Sequence, residues 1–320
     1  MSRALSLSVT LFCAALARHY TTLDRSFCSI LGPTFPNRFF LHGAQTDRLS
    51  NTATVATMPT LWDRLAQAGV SHTYYYSNLP FLALWGLKYL SIAQPYSRFL
   101  FDALTGRLPA VSFVDPKFTF SDDGTSNDDH PHADVRAGDA FLSQTFRAVA
   151  SGPDWSSTVL IVTYDEWGGF FDHVPPPRAA APNFVDPDLV AGKARLGFRV
   201  PTIVASPWTR GWALFPRVHH GTFDHTSILK FIEWRHGLAP LTARDASADV
   251  LNLAAVLDLD RPRTLVPWMP RPVAPPPIGC DGDGIVGTAG VAGSGGVAPS
   301  GAWQGLVDSG LLASWPIHLS

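Results

Sequence analysis

The run TVLIVT, from Thr158 to Thr163, decides the fold, because it reads as a buried strand. Two carboxylates follow it almost at once. A continuous aliphatic and β-branched run is typical of a strand that is covered on both faces, as in parallel sheets. Asp165 and Glu166 then lie just past its carboxyl end, where the strands of such sheets line a ligand crevice. Gly168 and Gly169 follow them and let the backbone approach a ligand closely.

Patterns on either side of this run alternate between strand and helix. Apolar residues recur with helical spacing between Ala133 and Ala150, and a Thr60–Asp63 pair resembles the cap that opens a helix. Further strands are predicted at Pro109–Asp115 and Phe198–Ala205, and a further helix at Asp224–Trp234. Buried strands that alternate with helices predict a layered α/β fold with a largely parallel sheet.

The composition sets limits on the class of protein. A chain of 320 residues with 46% hydrophobic and 16% charged residues can bury one large core. The net charge of -2 gives no basic excess, so nucleic acid is not expected as a partner. Three cysteines (Cys13, Cys28, Cys280) are too few and too scattered for a disulfide framework.

Composition also divides the chain. We expect one domain over residues 1–262, a Pro- and Gly-rich linker over 263–301, and a short apolar tail over 302–320 that can dock onto a core. The apolar run Ala4–Ala17 after Arg3 fits either a short signal peptide or a buried helix. No other stretch approaches the roughly 18 apolar residues of a membrane span.

Histidines gather in loops where chemistry could occur. His130 and His132 precede the predicted long helix, His173 follows the paired glycines, and His225 opens the helix after Asp224. An imidazole can donate to a phosphoryl oxygen or protonate a leaving group near neutral pH. From the residues alone, surface positions for the loop histidines and a helix-capping role for Asp224 stay open alternatives.

Two further groups carry possible chemistry. Thr34 lies between Gly32-Pro33 and Pro36, which would hold it in a rigid turn, and Arg38 could clamp a phosphoryl group. A surface turn is the alternative. The aromatic stretch Tyr74–Trp85 could enclose a choline-type cation, but a packed aromatic cluster is the favoured interpretation, because aromatic residues dominate protein cores.

Taken together, these segments resemble the bacterial phosphoesterases that include phospholipases C and acid phosphatases. The matching blocks occur in family order over roughly residues 9–262. They are FCSILGPTFPNRFF (27–40), TLWDRLAQAGVS (60–71), YYYSNLPFLALW (74–85), DDHPHADVRAGDAF (128–141), VTYDEWGGFFDHVPPP (162–177), GFRVPTIVASPW (197–208) and FDHTSILKFIEWRHGL (223–238).

The resemblance implies a fold and a set of roles. The fold would be alkaline-phosphatase-like, a three-layer αβα sandwich with a largely parallel central sheet. Thr34 would be the nucleophile, assisted by a divalent metal ion on Asp165 and Glu166. The substrate would be a phosphate ester, with a phospholipid headgroup as one candidate. The remaining roles implied are catalytic for His130, His173 and His225, and substrate-binding for Asn37, Arg38 and Asp224.

One departure from the family pattern affects the metal site. The family usually opens with a Glu-Asn-Arg-Ser-Phe-Asp-His-like block that supplies metal ligands, and this sequence has no such block. We therefore expect a weakened site for a hard cation and an unpaired edge in the sheet. The alternative is a catalytically impaired remnant. A sulfatase-like activity is disfavoured because GPTFPNR stands where a CxPxR-type block would be.

Overall fold

The computed structural model describes residues 10–118, 126–131, 133–186, 188–209, 217–275 and 302–317. Its α-helices are α1 (Leu11–His19), α2 (Thr34–Gly43), α3 (Leu61–Gln67), α4 (Tyr96–Thr105), α5 (Val135–Ser151), α6 (Thr226–His236), α7 (Ala243–Ala246) and α8 (Ala302–Asp308). Its strands are β1 (Thr21–Leu23), β2 (Ser26–Phe27), β3 (His72–Tyr76), β4 (Ala93–Pro95), β5 (Val111–Val114), β6 (Leu160–Thr163), β7 (Arg178–Ala180), β8 (Lys193–Arg195), β9 (Thr202–Ala205), β10 (Arg217–His219) and β11 (Phe223–Asp224).

The predicted parallel sheet is present only in part. Strands β4, β3 and β5 form a fully parallel three-stranded sheet. A four-stranded sheet has the order β10-β1-β9-β6, in which β9 runs antiparallel to both neighbours. A parallel connection from β6 to β9 would need a crossover, usually helical. The described residues between these two strands form a β7–β8 hairpin and no helix, and the chain returns antiparallel.

Helices cover both faces of the two sheets. Tyr75 and Ile203 pack with α1, α4 and α5 in one apolar cluster. Tyr74 and Val204, their neighbours on β3 and β9, point to the opposite face, where α2, α3 and α6 lie. This alternation follows from the period of two along a strand. The result is a three-layer αβα arrangement, as predicted.

Helix starts follow their capping residues. The predicted Thr60–Asp63 pair is confirmed, because the Thr60 N–H donates to Asp63 over 3.0 Å in a complete capping box before α3. Asp134 caps α5 by accepting the N–H of Arg136 at 2.9 Å. Helix α1, within the apolar run weighed as a signal peptide or a buried helix, buries Phe12 and Leu16 against α5. Residues 4–9 of that run lie outside the described residues.

Strand β6 differs from its prediction in one respect. It begins at Leu160 rather than Thr158, because a 3₁₀ turn at Trp155–Ser157 precedes it. The expected burial is present on both faces only, and the strand as a whole is half-buried from Leu160 to Thr163. One edge of β6 pairs with β9, and the other lines a cavity. The exposure therefore comes from an open edge, while the faces pack against both helical layers.

The aromatic stretch 74–85 is a packed cluster, not a cation cage. Its tyrosines, together with Phe81 and Trp85, are all buried. The tyrosine hydroxyls are used within the fold: Tyr75 donates to Asp102 at 2.9 Å and Tyr76 to the carbonyl of Pro316 at 2.6 Å. Polar ends that find internal partners in this way are typical of buried tyrosines.

The C-terminal segment packs on the main core. Trp303 of α8 stacks on Phe118 with ring centroids 4.0 Å apart, and Trp315 donates to the carbonyl of Gly86 at 3.3 Å. Residues 276–301, which include Cys280 and most of the predicted linker, lie outside the described residues. None of the helices in the described part of the chain is long and apolar enough to cross a membrane.

Candidate active site

A cavity of about 630 Å³ opens at the carboxyl ends of β5 and β6. Its walls along the two strands are mainly aliphatic and aromatic, and a group of nine polar side chains lies where the strands end. This is the position that a ligand crevice takes in layered α/β proteins. The polar side chains that line this end are Thr34, Arg38, Asp115, Asn127, Asp128, Asp129, His130, Asp165 and Glu166.

Thr34 is the first residue of helix α2 and lies against the cavity. The turn before it is held by Asn37, whose side chain accepts the N–H of Ile30 at 3.1 Å and donates to the carbonyl of Gly32 at 2.8 Å. In the first turn of α2 the Phe35 N–H is donated to Asn51 at 2.8 Å and Pro36 has no N–H, so the positive end of the helix dipole is the main feature that favours an anion. A phosphoryl group beside Thr34 would therefore meet a favourable electrostatic field.

Arg38 follows one turn later on α2 and is almost fully buried. Its guanidinium donates to Asp115, and its Nη1 lies 4.0 Å from Oδ2 of Asp165. Burial alone would lower the pKa of Arg38, but the two carboxylates outweigh it and raise the pKa. Aromatic rings of Phe81, Phe118 and Trp303 lie within 4.9–5.6 Å of the guanidinium carbon.

Asp115 directly follows strand β5 and forms the centre of a buried polar network. It accepts hydrogen bonds from Arg38 and from the hydroxyl of Tyr74, which in turn accepts the N–H of Phe81 at 2.8 Å. Burial raises the pKa of Asp115, while the Arg38 guanidinium opposes that shift. A charged pair held between α2 and β5 fixes the helix against the strand end.

Asp165 and Glu166 follow β6 and line the same end of the cavity. Asp165 accepts the N–H of Glu166 at 3.1 Å, and Glu166 accepts the N–H of Gly168 at 2.8 Å. Burial, and then the neighbouring Asp165, raise the pKa of Glu166. Gly168 has a φ of +67°, a left-handed conformation that suits glycine and turns the loop sharply after the two acids.

His130 reaches the cavity on the loop that leads into α5. Asp128 holds this loop by accepting the His130 N–H at 3.2 Å. Next to it, Asp129 accepts the hydroxyl of Tyr164 at 2.6 Å, while its other oxygen is buried with no hydrogen-bond partner. Burial, reinforced by nearby carboxylates, raises the pKa of Asp129 to about 6. His132, the other histidine of this loop, lies outside the described residues.

Three of the predicted site residues lie away from the cavity lining. Asp224 is buried and accepts bonds from Ser29 at 3.1 Å and from Arg244 at 3.0 Å, so its oxygens serve the fold. His225 is buried behind the site, where its Nε2 donates to the carbonyl of Tyr164 at 3.1 Å. His173 is 86% exposed and its ring lies 3.4 Å from Asp172.

Asn37 is a fourth predicted residue outside the lining. Its side chain is fully buried in the backbone of the preceding turn and also donates to the carbonyl of Pro33 at 3.2 Å. In this structure Asn37 therefore positions Thr34. The structure brings together Thr34, Arg38, His130, Asp165 and Glu166 at one end of the cavity, and places Asn37, His173, Asp224 and His225 outside it.

The described residues supply only some of the ligands that a divalent cation needs. Hard cations take about six oxygen ligands, and Asp165 with Glu166 supply two carboxylates. The positive guanidinium of Arg38, 4.0 Å from Asp165, competes with a cation for the same oxygen. Within the described ranges, no group of three or more histidine, cysteine or acidic side chains is placed to hold a metal ion. These residues do not make a complete metal site.

Sequence reasoning missed Asp115, Asp129 and Tyr164. Asp115 carried the same signal as Asp165, an acid directly after a β-rich run, and could have been found by applying that rule twice. Asp129 and Tyr164 carried no separate signal, because their contact joins residues 35 positions apart.

The fold and cavity define a layered α/β protein with a candidate site at the carboxyl ends of its strands. The Phosphoesterase family model matches residues 5–239, which is most of the described chain. The chain therefore belongs to the Phosphoesterase family, as its sequence blocks indicated.

Curated relatives support this assignment. Non-specific phospholipase C1 of Arabidopsis thaliana is 37% identical over 253 residues, which cover 73% of this chain and 48% of that protein. Non-specific phospholipase C6 of the same plant is 34% identical, covering 82% of this chain and 54% of that protein. Phospholipase C B of Mycobacterium tuberculosis is also 34% identical, covering 80% of this chain and 58% of that protein. The chain thus spans about half the length of the curated relatives that it matches.

Solved structures give a weaker similarity. An alkaline phosphatase superfamily protein from Vibrio parahaemolyticus has a TM-score of 0.47 and 13% sequence identity, covering 75% of this chain and 64% of that chain. The identification of the family therefore rests on sequence, and the layered fold on the strands and helices described above.

Proposed function

We propose that this protein hydrolyses phosphoric esters at the cavity, with the hydroxyl of Thr34 as nucleophile. The observation that carries the proposal is the position of Thr34 at the first residue of α2, where it lines the same cavity as Arg38, Asp165 and His130. A phosphoryl group there would face the helix N-terminus and a guanidinium at once. The phospholipase C names of its relatives suggest a phosphodiester of a lipid headgroup as the substrate class.

The chemistry divides into two displacements at phosphorus. In the first, Thr34 Oγ1 forms a bond to phosphorus as the bond to the leaving oxygen breaks, and the hydroxyl proton passes to solvent. His130 protonates the leaving oxygen. In the second, water attacks the phosphothreonine, the Thr34 oxygen leaves with a proton from that water, and the phosphoryl product departs. His130 regains from solvent the proton that it gave up in the first step. The net reaction consumes one water molecule.

In this proposal, Asp165 and Glu166 would be ligands of a divalent cation. Such an ion would neutralise charge on the phosphoryl oxygens and acidify the attacking hydroxyl. No step is assigned to it, because the described residues supply two carboxylates and place the Arg38 guanidinium beside one of them. Completing the ligand shell would need oxygens from substrate or from elsewhere.

A catalytically impaired protein is the second candidate, and a specific observation favours it. Arg38 is already paired with Asp115 and close to Asp165, so its charge is largely compensated before any substrate arrives. A guanidinium that must exchange partners contributes less to phosphoryl binding than a free one. Under this alternative, the cavity would bind a phosphoryl group weakly and turn it over slowly or not at all.

The test is hydrolysis of p-nitrophenyl phosphate and p-nitrophenylphosphorylcholine by the full chain, with and without Mg²⁺, Mn²⁺, Ca²⁺ or Zn²⁺. Thr34→Ala should lower kcat by roughly a thousandfold or more, because no other hydroxyl replaces the nucleophile. Thr34→Ser should keep measurable activity. The matched control is Thr105→Ala, an exposed threonine at the end of α4, which should be unchanged.

Mass spectrometry of acid-quenched reactions provides a second readout. We expect a phosphoryl group on the peptide that contains Thr34, and none in Thr34→Ala. Wild-type turnover that survives Thr34→Ala would refute Thr34 as nucleophile. A folded wild-type protein with no turnover under any metal would establish the impaired alternative.

A further inference from the structure

The C-terminal segment reaches the candidate active site at one point. Trp303, the second residue of α8, lines the same cavity as Arg38, and no other described residue after His236 does so. The rest of the segment is anchored away from the cavity, where Trp315 donates to the carbonyl of Gly86 at 3.3 Å. One indole therefore enters the site, and the remainder of the segment holds it there.

Trp303 packs against the helix that carries the candidate nucleophile. Its ring centroid lies 5.7 Å from that of Phe35, with the two rings edge to face at 70°. Phe35 directly follows Thr34 on α2. One turn further along, the guanidinium carbon of Arg38 lies over the Trp303 ring, 5.6 Å from its centroid. The indole thus contacts the turn of α2 that presents both Thr34 and Arg38 to the cavity.

Two phenylalanines complete an aromatic enclosure around this guanidinium. Phe118 stacks on Trp303 with ring centroids 4.0 Å apart and an angle of 19° between the rings. The guanidinium carbon of Arg38 lies 5.1 Å from the centroid of Phe118 and 4.9 Å from that of Phe81. A cation is attracted to ring faces, most strongly to that of tryptophan and where water is excluded. Trp303 is 6% exposed, so its contact with Arg38 is largely desolvated.

Aromatic faces hold a guanidinium without using its N–H donors. Nη2 of Arg38 donates to Asp115, while Nη1 lies 4.0 Å from Oδ2 of Asp165, which is longer than a hydrogen bond. Nε is buried and has no hydrogen-bond partner among the described residues. Asp115 therefore fixes one nitrogen and the rings fix the plane, which leaves donors of the planar fork for a phosphoryl oxygen.

We propose that Trp303 is a positioning residue of the candidate active site, through which the docked C-terminal segment holds the Arg38 guanidinium in the plane that binds a phosphoryl oxygen. This role rests on the proposed function only as far as phosphoryl binding, and it does not require attack by Thr34. The indole contacts no reacting atom and acts through Arg38. Its effect is therefore on phosphate affinity, and it depends on the ring face of Trp303 rather than on its bulk.

The first test measures the affinity of the full chain for inorganic phosphate, without divalent cations, by ³¹P NMR titration. Trp303→Phe keeps a ring face, whereas Trp303→Met fills space without one. We expect Trp303→Met to raise the phosphate Kd about tenfold, and Trp303→Phe to stay within about threefold of wild type. The matched control is Trp315→Met, the same change at a buried tryptophan of the same segment outside the cavity lining, which should leave the Kd unchanged.

The outcomes separate this role from hydrolysis. Equal Kd values for Trp303→Met and wild type would overturn the proposal, as would equal weakening by Trp315→Met or a wild type that binds no phosphate. Phosphate binding that depends on Trp303, in a protein without turnover, would refute hydrolysis and support the positioning role. Turnover through Thr34, with phosphate binding that is insensitive to Trp303→Met, would refute the positioning role alone.

A double-variant cycle tests whether Trp303 acts through Arg38. Arg38→Lys keeps the positive charge but removes the planar fork. In that background Trp303→Met should change the phosphate Kd by less than about twofold, because no guanidinium plane is left to orient. A full tenfold loss in the Arg38→Lys background would contradict action through Arg38.

Fluorine NMR of the wild-type protein keeps the proposal testable should Trp303→Met fail to fold. The full chain is labelled with 5-fluorotryptophan at its 10 tryptophans, and Trp303→Phe and Trp315→Phe assign two of the resonances. Saturating phosphate should shift the Trp303 resonance and leave that of Trp315 in place. A Trp303 resonance that does not respond, or an equal shift of both, would overturn the proposal.

Discussion

Arg38 on helix α2 donates a hydrogen bond through Nη2 to Oδ1 of Asp115 at the end of strand β5, and both side chains are almost completely buried. The contact joins residues 77 positions apart and fixes the helix that begins at Thr34 against the strand edge. The candidate nucleophile thus depends for its position on a pair that the sequence does not place together.

Removing one member of this pair should destabilise the fold. Asp115→Ala leaves the guanidinium of Arg38 buried without its main counter-charge, and we expect the free energy of unfolding to fall by about 3–5 kcal/mol. Urea denaturation followed by tryptophan fluorescence measures the change. The control is Asp188→Ala, which removes an exposed carboxylate that pairs with Arg178 and Arg195 and should have little effect. Equal effects of the two changes would contradict the structural role of the buried pair.

Gly138 on α5 leaves little room for a side chain, because the carboxylate of Asp129 lies against it. A Cβ there would lie 2.0 Å from Oδ1 of Asp129, so Gly138→Ala should destabilise by about 1–3 kcal/mol. The same change at an open helical position normally stabilises by about 0.5–1 kcal/mol. The Gly138→Ala/Asp129→Ala double variant supplies the control, because removing the carboxylate should cancel most of the loss. Thermal melts of the two single variants and the double variant measure this. If the stability changes of the single variants add up to that of the double variant, the two residues do not interact.

Divalent cations should stabilise the wild-type protein through Asp165 and Glu166. We expect Mg²⁺ or Mn²⁺ to raise the melting temperature, because an ion that binds only the folded state shifts the unfolding equilibrium. Asp165→Asn/Glu166→Gln should lose that rise, while Asp134→Asn, which changes a half-buried acid outside the cavity lining, should keep it. A rise of equal size in all three proteins would assign the cation to another site.

Glu233 should make the fold less stable as the pH rises. Burial, then a hydrogen bond with Asp245, raises its pKa to about 9. A raised pKa in the folded state means that the stabilising contribution is complete below the unfolded pKa of about 4.3 and is lost as the pH rises toward 9. Glu233→Gln, which is permanently neutral, should be more stable than wild type at pH 8 and similar at pH 4.5.

Urea denaturation at both pH values measures this difference, and Asp260→Asn, which changes an exposed acid, controls for the lost charge. A Glu233→Gln variant that follows the wild-type pH profile would show that Glu233 is not the group responsible.

The local sequence predicted the elements that depend on local rules. The Thr60–Asp63 box starts α3, the apolar stripe of 133–150 forms α5, and Asp165 and Glu166 follow β6 as expected. Capping, periodicity and acids after a strand are set by neighbours in the chain, so the residues alone suffice to read them.

The tertiary structure decided how these pieces meet. The sequence did not show that β9 returns antiparallel, that Asn37 serves the turn before Thr34, or that His225 lies behind the cavity. Each of these three features depends on contacts between residues that are distant in sequence, or on hydrogen bonds that a side chain already makes within the fold.

By itself, then, the sequence determined the family, the layered α/β class and the candidate nucleophile at Thr34, because family blocks and secondary-structure patterns are properties of contiguous residues. Only the fold decided that Arg38 is paired with Asp115, that Asp165 and Glu166 share one end of the cavity with Thr34, and that Trp303 of the C-terminal segment lines the same cavity. The physical reason is that charge pairing, burial and edge pairing depend on distances in space, which the order of residues along the chain does not set.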